Sequence, residues 1–362
     1  MLSQLKLGYK IAATNLGFSM PYQLNFAITY WCNSRCTFCK IWELKPQNEL
    51  TLEEIEKFVK KIPFIQWVRL TGGEPTLRKD YVDIVKAFNK LPNLYVVTTP
   101  TNSIMPEDIY KKISQVLEFL DKKYVITVSL DGDKETHDRV RGIAGNWDRA
   151  ISLYQKLRAL KKDHKNFGVF FGYTMYPENV GVFSKMLSDI KEIIPEITVN
   201  DFHVNIYQTS ETYFHTAGTQ LPDGYAAKAI KEISHILSLR QKKGILGTIE
   251  NRYLQMGIQY LQEGKTPLPC NIMDMSCFAD PWGNVFPCII FNEKVGNLRE
   301  ADYDLRKILE SEQARLTKEK TEKLQCPNCW TPCEAHQLIL SNWLKSGSVT
   351  EKNKTIAADM PE

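Results

Sequence analysis

Three thiols fall within one short stretch of this chain, Cys32-Asn33-Ser34-Arg35-Cys36-Thr37-Phe38-Cys39. The spacing C-x3-C-x2-C puts three thiolates on a single loop, just after the apolar run Leu24–Tyr30. Three thiolates can hold three irons of a cubane cluster and leave the fourth iron open to an outside ligand. A purely structural cluster has no such position. Zinc would require a fourth ligand, and no histidine is near these cysteines in the sequence.

Two further motifs follow at the ends of apolar runs. Thr71-Gly72-Gly73-Glu74-Pro75 comes directly after Trp67–Leu70. Paired glycines let backbone approach a ligand closely, and the carboxyl end of a strand is where barrel enzymes place their chemistry. Alone, the pair reads as a plain turn. Ser129-Leu130-Asp131-Gly132 and His137-Asp138-Arg139-Val140-Arg141 end a fourth apolar run. A hydroxyl and a guanidinium there can hold ribose and carboxylate groups, arginine as a bidentate fork. His137 reads equally well as a surface or capping histidine, and Asp131 as a turn residue.

Six more cysteines lie late in the chain: Cys270, Cys277, Cys288, Cys326, Cys329 and Cys333. None separates Cys39 from Cys270. Clustering of this kind, without a secretory signal, points to metal rather than disulfides and to a reducing, cytoplasmic setting. Cys270, Gly283 and Cys288 give C-x12-G-x4-C, with Pro281-Trp282-Gly283-Asn284 reading as a hairpin turn. Cys326 and Cys329 give C-x2-C. Two such pairs suffice for one auxiliary 4Fe–4S cluster. Six thiolates cannot fully ligate two cubanes. The alternatives are one cluster with two spare thiols, or two clusters with open or non-cysteine ligands such as Glu334 and His336. A zinc knuckle of Cys326, Cys329 and Cys333 is a third.

These residues need a scaffold. Strand-like runs at Leu24–Tyr30, Trp67–Leu70, Tyr95–Thr99, Val125–Leu130, Val169–Tyr173 and Val204–Tyr207 alternate with amphipathic stretches. The latter are Thr51–Ile62, Asp80–Asn89, Pro106–Leu120, Asn146–Leu160 and Val182–Ile193. Thr51 with Glu54 predicts a capping box. The alternation predicts an α/β fold with a parallel sheet, and six units predict a partial (β/α)6 TIM-like barrel. Tyr225–Lys243 and Ile249–Glu263 read as helices. Segment 264–340 is rich in Cys and Pro, leaves little room for a hydrophobic core, and reads as a small iron–sulfur extension held by metal. The implied units are 1–23, a barrel over 24–225, a helical connection over 226–264, the extension over 265–340, and a polar tail over 341–362. Lys6 and Lys10 among Leu2, Leu5, Leu7, Ile11 and Leu16 predict a surface helix, with weak membrane-surface contact as the sharper reading.

The chain has 362 residues, of which 43% are hydrophobic, and a net charge of +4. That balance gives no argument for a nucleic-acid partner, and no apolar run approaches the ~20 residues of a membrane span.

Taken in order, the motifs resemble those of the radical S-adenosylmethionine (radical SAM) superfamily, over roughly residues 24–335. The Ser129 to Arg141 motif and the late cysteines resemble its SPASM and twitch branch. The resemblance implies that Cys32, Cys36 and Cys39 bind a 4Fe–4S cluster whose open iron takes SAM. It implies that Phe38 packs against adenine, that Gly72, Gly73 and Glu74 hold the methionine amino group, and that Ser129 and Arg141 contact SAM. It implies cleavage of SAM to a 5′-deoxyadenosyl radical, hydrogen abstraction from a substrate, one or two auxiliary 4Fe–4S clusters, and an electron donor such as flavodoxin or ferredoxin. In the family's sulfatase maturases a basic Asp follows the last first-half cysteine; here Ile289 stands there, and no general base is named. The expected activity is an oxidative modification of a small molecule such as a sugar, cyclitol or lipid intermediate. Modification of a ribosomally made peptide is the alternative, and a non-catalytic iron–sulfur or zinc protein is the alternative of another class.

Overall fold

The computed structural model describes residues 20–241 and 244–343. The surface helix expected before Met20 lies outside them, as do residues 344–362 of the tail expected over 341–362.

Six parallel strands form in sequence order: β1 (Gln23–Thr29), β2 (Trp67–Gly72), β3 (Val96–Thr101), β4 (Lys123–Ser129), β5 (Phe167–Met175) and β6 (Phe202–Ile206). Each is followed by a helix, as the alternation requires. Their outward side chains are apolar and sealed by those helices. Phe26 of β1 packs edge-on against Phe58 and Phe88, with ring centroids 5.8 and 6.1 Å apart. Helix Leu52–Lys60 starts at the expected capping box, with Thr51 and Glu54 bonding reciprocally. A short helix, Lys134–Arg141, forms where the sequence shows only polar residues. Asp133 caps its start and Gly142, at φ +65°, ends it.

The sheet does not close, because β6 pairs with β5 and not with β1. Two helices span the gap. His203 of β6 reaches Glu250 on helix Gly244–Glu263. That helix packs on Pro332–Ser341, whose Glu334 and Gln337 bond Asn25, Gln23 and Tyr22 at β1.

One expectation needs correction. Segment 264–340 does not lack apolar packing. Its strand β7 (Ser276–Ala279) joins the barrel sheet parallel to β1, with Gln23 opposite Ser276 and Phe26 opposite Ala279. Strands β8 (Asn284–Phe286) and β9 (Gly296–Asn297) extend it antiparallel, through a hairpin at Gly283, where φ is +82°. Phe278, Val285, Leu298, Trp330 and Leu338 are buried in the same core as the barrel. These residues fall in short apolar runs broken by prolines, cysteines and polar residues, so no sustained period marks them. They pack on β1 and on helix Gly244–Glu263, with Trp330 Nε1 donating to the Tyr253 carbonyl at 2.8 Å.

Candidate active site

The loop after β1 carries Cys32, Cys36 and Cys39, and three elements hold it. At the end of β1, Thr29 Oγ1 and the Tyr30 N–H donate to Glu49, later in the same connection, at 2.8 and 2.6 Å. From β2, the Gly73 and Glu74 N–H groups donate to the Thr29 and Trp31 carbonyls, both at 2.8 Å. From helix Lys134–Arg141, the Arg141 and Val140 carbonyls accept from Arg35 and Thr37 at 3.0 and 2.9 Å. This contact explains Gly72 and Gly73. A Cβ on Gly72 would stand 2.0 Å from the Thr29 carbonyl oxygen, and one on Gly73 2.3 Å from that of Trp31. The glycines let the cysteine loop lie on β2, so their first requirement is backbone against backbone.

Glu74 is fully buried. Its carboxyl accepts from Thr76 Oγ1 (2.6 Å) and N–H (3.2 Å), Thr101 Oγ1 (3.2 Å) and the Asn102 N–H (2.6 Å). It therefore ties the end of β2 to that of β3. Asn102 in turn donates to Asn33 Oδ1 at 2.7 Å and faces Cys32 Sγ at 3.8 Å. No pattern in the sequence marks Asn102.

Arg141 lies against Cys36, its Nη1 3.6 Å from the sulfur. Its Nε and Nη2 fork grips Asp131 at 2.6 and 2.5 Å. Both partners are buried, and the ion pair aims a fixed cation at the thiols. Asp131 is thus more than a turn residue. His137 is fully buried rather than on the surface: its Nδ1 accepts from the Asp131 N–H at 3.0 Å, and burial pushes its pKa well down, so it stays neutral. Ser129 is half-buried at the end of β4, beside this group.

Phe38 sits in an aromatic box. Tyr176 and Tyr207 lie 5.6 and 6.5 Å away, and the Arg141 guanidinium 5.3 Å away. Both tyrosines sit just past the ends of β5 and β6; sequence reading missed Tyr176, and it ended the run Val204–Tyr207 at Tyr207 without giving it a role.

Four of the late thiols meet. Cys270, Cys288, Cys326 and Cys329 line one pocket with Thr266, Phe291 and Glu334. The other two do not line it. Cys277 is fully buried in the apolar core on β7. Cys333 turns to β2, where Arg69 Nη1 donates to its sulfur at 2.5 Å; the knuckle of Cys326, Cys329 and Cys333 is therefore not formed. Glu334 also bonds Ser276 Oγ at 2.9 Å, and burial pushes its pKa up to about 7. His336 faces Glu250, at 3.9 Å, and the Tyr253 ring rather than the pocket.

The donor sets fit iron–sulfur clusters. Burial pushes the Cys32 and Cys270 thiols up to about 12, and Cys39, Cys288 and Cys329 upward as well. Buried thiolates need a cationic partner, and three thiols on one loop with four around one pocket match one site-open and one fully ligated cubane.

Residues 26–190 match the sequence model of the Radical SAM superfamily, and residues 270–330 match that of an iron–sulfur cluster-binding domain, SPASM. Among curated proteins, the chain is 33% identical to GTP 3',8-cyclase of Clostridium perfringens (strain 13 / Type A) over 144 residues, 37% of this chain and 42% of that one. It is 30% identical to GTP 3',8-cyclase of Alkaliphilus metalliredigens (strain QYMF) over 184 residues, 49% of this chain and 52% of that one. The chain thus spans about half or less of the length of these relatives. Among solved structures, Streptococcus suis SuiB bound to S-adenosylmethionine matches with a TM-score of 0.60 at 15% identity, over 90% of this chain and 74% of that one. Native anSMEcpe with bound AdoMet and Cp18Cys peptide matches with a TM-score of 0.56 at 14% identity, over 94% and 100%. Both share the fold of this chain. The chain belongs to the radical SAM superfamily and carries an iron–sulfur cluster-binding domain of the SPASM type.

Proposed function

We propose that this chain is an enzyme that cleaves SAM reductively and oxidises a small molecule by hydrogen abstraction. The observation that carries the reading is the meeting of three elements on Cys32, Cys36 and Cys39: the β1 loop, the β2 glycines and the Arg141–Asp131 pair. These cysteines hold the SAM-binding 4Fe–4S cluster. Cys270, Cys288, Cys326 and Cys329 hold one auxiliary 4Fe–4S cluster, and Cys277 and Cys333 hold neither. When bound, the clusters and SAM supply a 5′-deoxyadenosyl radical and a site for the electron left on the substrate.

The chain's own residues do the positioning. Phe38, Tyr176 and Tyr207 offer flat faces to adenine. Ser129 offers a hydroxyl to ribose. Gly72, Gly73 and Glu74 lie where the methionine amino group would bind, although Glu74 already accepts four protein hydrogen bonds. Asp131 holds Arg141, which leaves Nη1 for a carboxylate. The helices that span the gap between β6 and β1 shield the barrel from water, which a carbon radical needs. The first electron comes from a donor such as flavodoxin or ferredoxin, in a reducing cytoplasm where thiolates persist.

A peptide substrate is the second reading, favoured by the fold shared with anSMEcpe bound to a peptide. The test is anaerobic reconstitution with iron and sulfide, then SAM and a strong reductant. Formation of 5′-deoxyadenosine is expected; its absence from protein that holds its clusters would sink the enzyme reading and leave a binding protein.

A further inference from the structure

Within the barrel, one half-buried cation has a thiol as its hydrogen-bond partner among the described residues. Along β2 to β6 the outward residues are buried against helices, while the alternate, inward ones stay half-buried. These include Arg69, Thr98, Thr127, Phe170, Thr174 and Asn205. The interior is therefore an open chamber rather than a filled core. Most of its lining is hydroxyl, amide or ring. Arg69 differs. It projects from β2 between its register neighbours Asn25 and Thr98, and its hydrogen bond among the described residues is to Cys333 Sγ at 2.5 Å.

A guanidinium has five N–H donors and stays charged at any pH the protein meets, whereas a thiol is a weak acceptor. Glu334 is close enough to feel the charge of Arg69, yet its oxygens go to Asn25 Nδ2 at 3.4 Å and Ser276 Oγ at 2.9 Å. Two other cationic candidates share the inward parity: His203 is held by Glu250 at 3.1 Å, and Lys123, at the exposed start of β4, lies over the Tyr95 ring. Among the described residues no carboxylate hydrogen-bonds the half-buried Arg69 guanidinium, and Glu334 acts on it only through space.

We propose that Arg69 anchors an anionic group of the substrate, a carboxylate or a phosphate. The proposal rests on the reading that this chamber receives the substrate. Its position has a consequence for size. Arg69 is three residues before Gly72 on the strand, roughly 10 Å at the usual rise. A substrate anchored there reaches the carboxyl ends of the strands, where the three thiols lie, if it is about as long as a sugar phosphate or an amino-acid derivative.

The test uses the full chain with both clusters rebuilt and SAM bound, under argon. Inorganic phosphate and carbon-13 acetate are titrated separately, and binding is read from the saturable broadening of their NMR lines. Wild type is expected to bind at least one of the two. Phosphate alone points to a phosphate ester, acetate alone to a carboxylate. Arg69→Gln should weaken binding at least tenfold, and Arg69→Lys less. Cys333→Ala, which keeps the guanidinium and removes its thiol partner, should bind as tightly or more tightly, and it carries the test if Arg69→Gln fails to assemble. No saturable binding by wild type, equal binding by Arg69→Gln, or loss of binding in Cys333→Ala would each overturn the proposal. Iron content and 5′-deoxyadenosine yield are measured on the same samples. Anion binding without 5′-deoxyadenosine would overturn the enzyme reading and leave the anchor standing.

Discussion

Cys32, Cys36 and Cys39 reach their places from one loop, whereas Cys270, Cys288, Cys326 and Cys329 are gathered from segments far apart in the chain. The first set needs only local geometry plus a floor, which β2 supplies through Gly72 and Gly73. The second needs the whole carboxyl-side fold: β7 paired on β1, the Gly283 hairpin, and helix Pro332–Ser341 tied to Gln23 and Asn25. The two sites also differ in completeness. Three thiols leave one iron open, four leave none. A site that must accept a cosubstrate is built locally and left incomplete. A site closed by its ligands depends on long-range packing.

The largest effect comes from removing ligands. Wild type should hold about eight irons. Cys36→Ala should lose about four and all 5′-deoxyadenosine formation. Cys329→Ala should also lose about four yet still cleave SAM, because the first site does not share its thiols. Cys277→Ala and Cys333→Ala should keep about eight. Iron and sulfide analysis beside product assay checks all four. A loss of about four irons in Cys333→Ala would break the comparison by making the late site a different ligand set.

Next is the pair that aims a cation at the first site. Asp131→Asn leaves the buried Arg141 guanidinium without its carboxylate. Breaking a buried ion pair from one side costs about 3–5 kcal/mol, and urea unfolding of the holo-protein should show it. Because the pair also orients Nη1 toward Cys36, SAM affinity should fall as well. Unchanged SAM binding would mean that the Asp131–Arg141 pair only stabilises the fold.

How much of this was legible in the sequence follows from the same local and long-range division. The strands of the barrel were readable because each is a dense apolar run of β-branched and aromatic residues, and their observed ends fall within about two residues of the expected ones. The β1 loop was readable because its ligands are neighbours. Asp131 as the anchor of Arg141 was not, since ten positions separate them and a short polar helix hides the contact. Tyr176, Tyr207 and Asn102 carry no motif; they become site residues only because parallel strands bring their ends together. The apolar contribution of Trp330, Phe278 and Leu338 was also invisible, since their runs are too short to show a period and pack on other parts of the chain. The pairs Cys270/Cys288 and Cys326/Cys329 were legible as one sufficient set; that Cys277 and Cys333 stand apart from them required the pocket itself.

A smaller effect separates the glycines of the two regions. Gly283→Ala puts a side chain at φ +82°, with its nearest contact Leu298 Cβ at 3.3 Å. The left-handed strain costs about 1–2 kcal/mol, and the neighbour has to yield only slightly. Thermal unfolding should shift down while iron content stays whole. Gly72→Ala should instead lose the SAM-site iron, because its Cβ meets backbone at 2.0 Å. Equal behaviour of the two variants would erase the distinction between a floor and a hinge.

The smallest effect tests how the late segment is fastened to the barrel's surface. Arg299, just past β9, donates to Glu54 on helix Leu52–Lys60 at 2.6 and 3.0 Å, and Tyr303 adds a bond at 3.0 Å. The Arg299 hydrogen bonds are the chief cause that holds the Glu54 carboxyl at about 2, below its ordinary range. A carboxyl with a depressed pKa stabilises the fold above its unfolded value, near 4.5, and loses that contribution as pH falls from there toward about 2. The pair is partly exposed, so water screens it, and Glu54→Gln should cost only about 0.5–1 kcal/mol at neutral pH. Urea midpoints under argon should therefore differ between wild type and variant by the same small amount at pH 7 and at pH 5. Both values lie above the window in which the carboxyl takes up its proton. No difference at either pH would place the carboxyl in the ordinary range and remove Arg299 as the clasp between the late segment and the barrel.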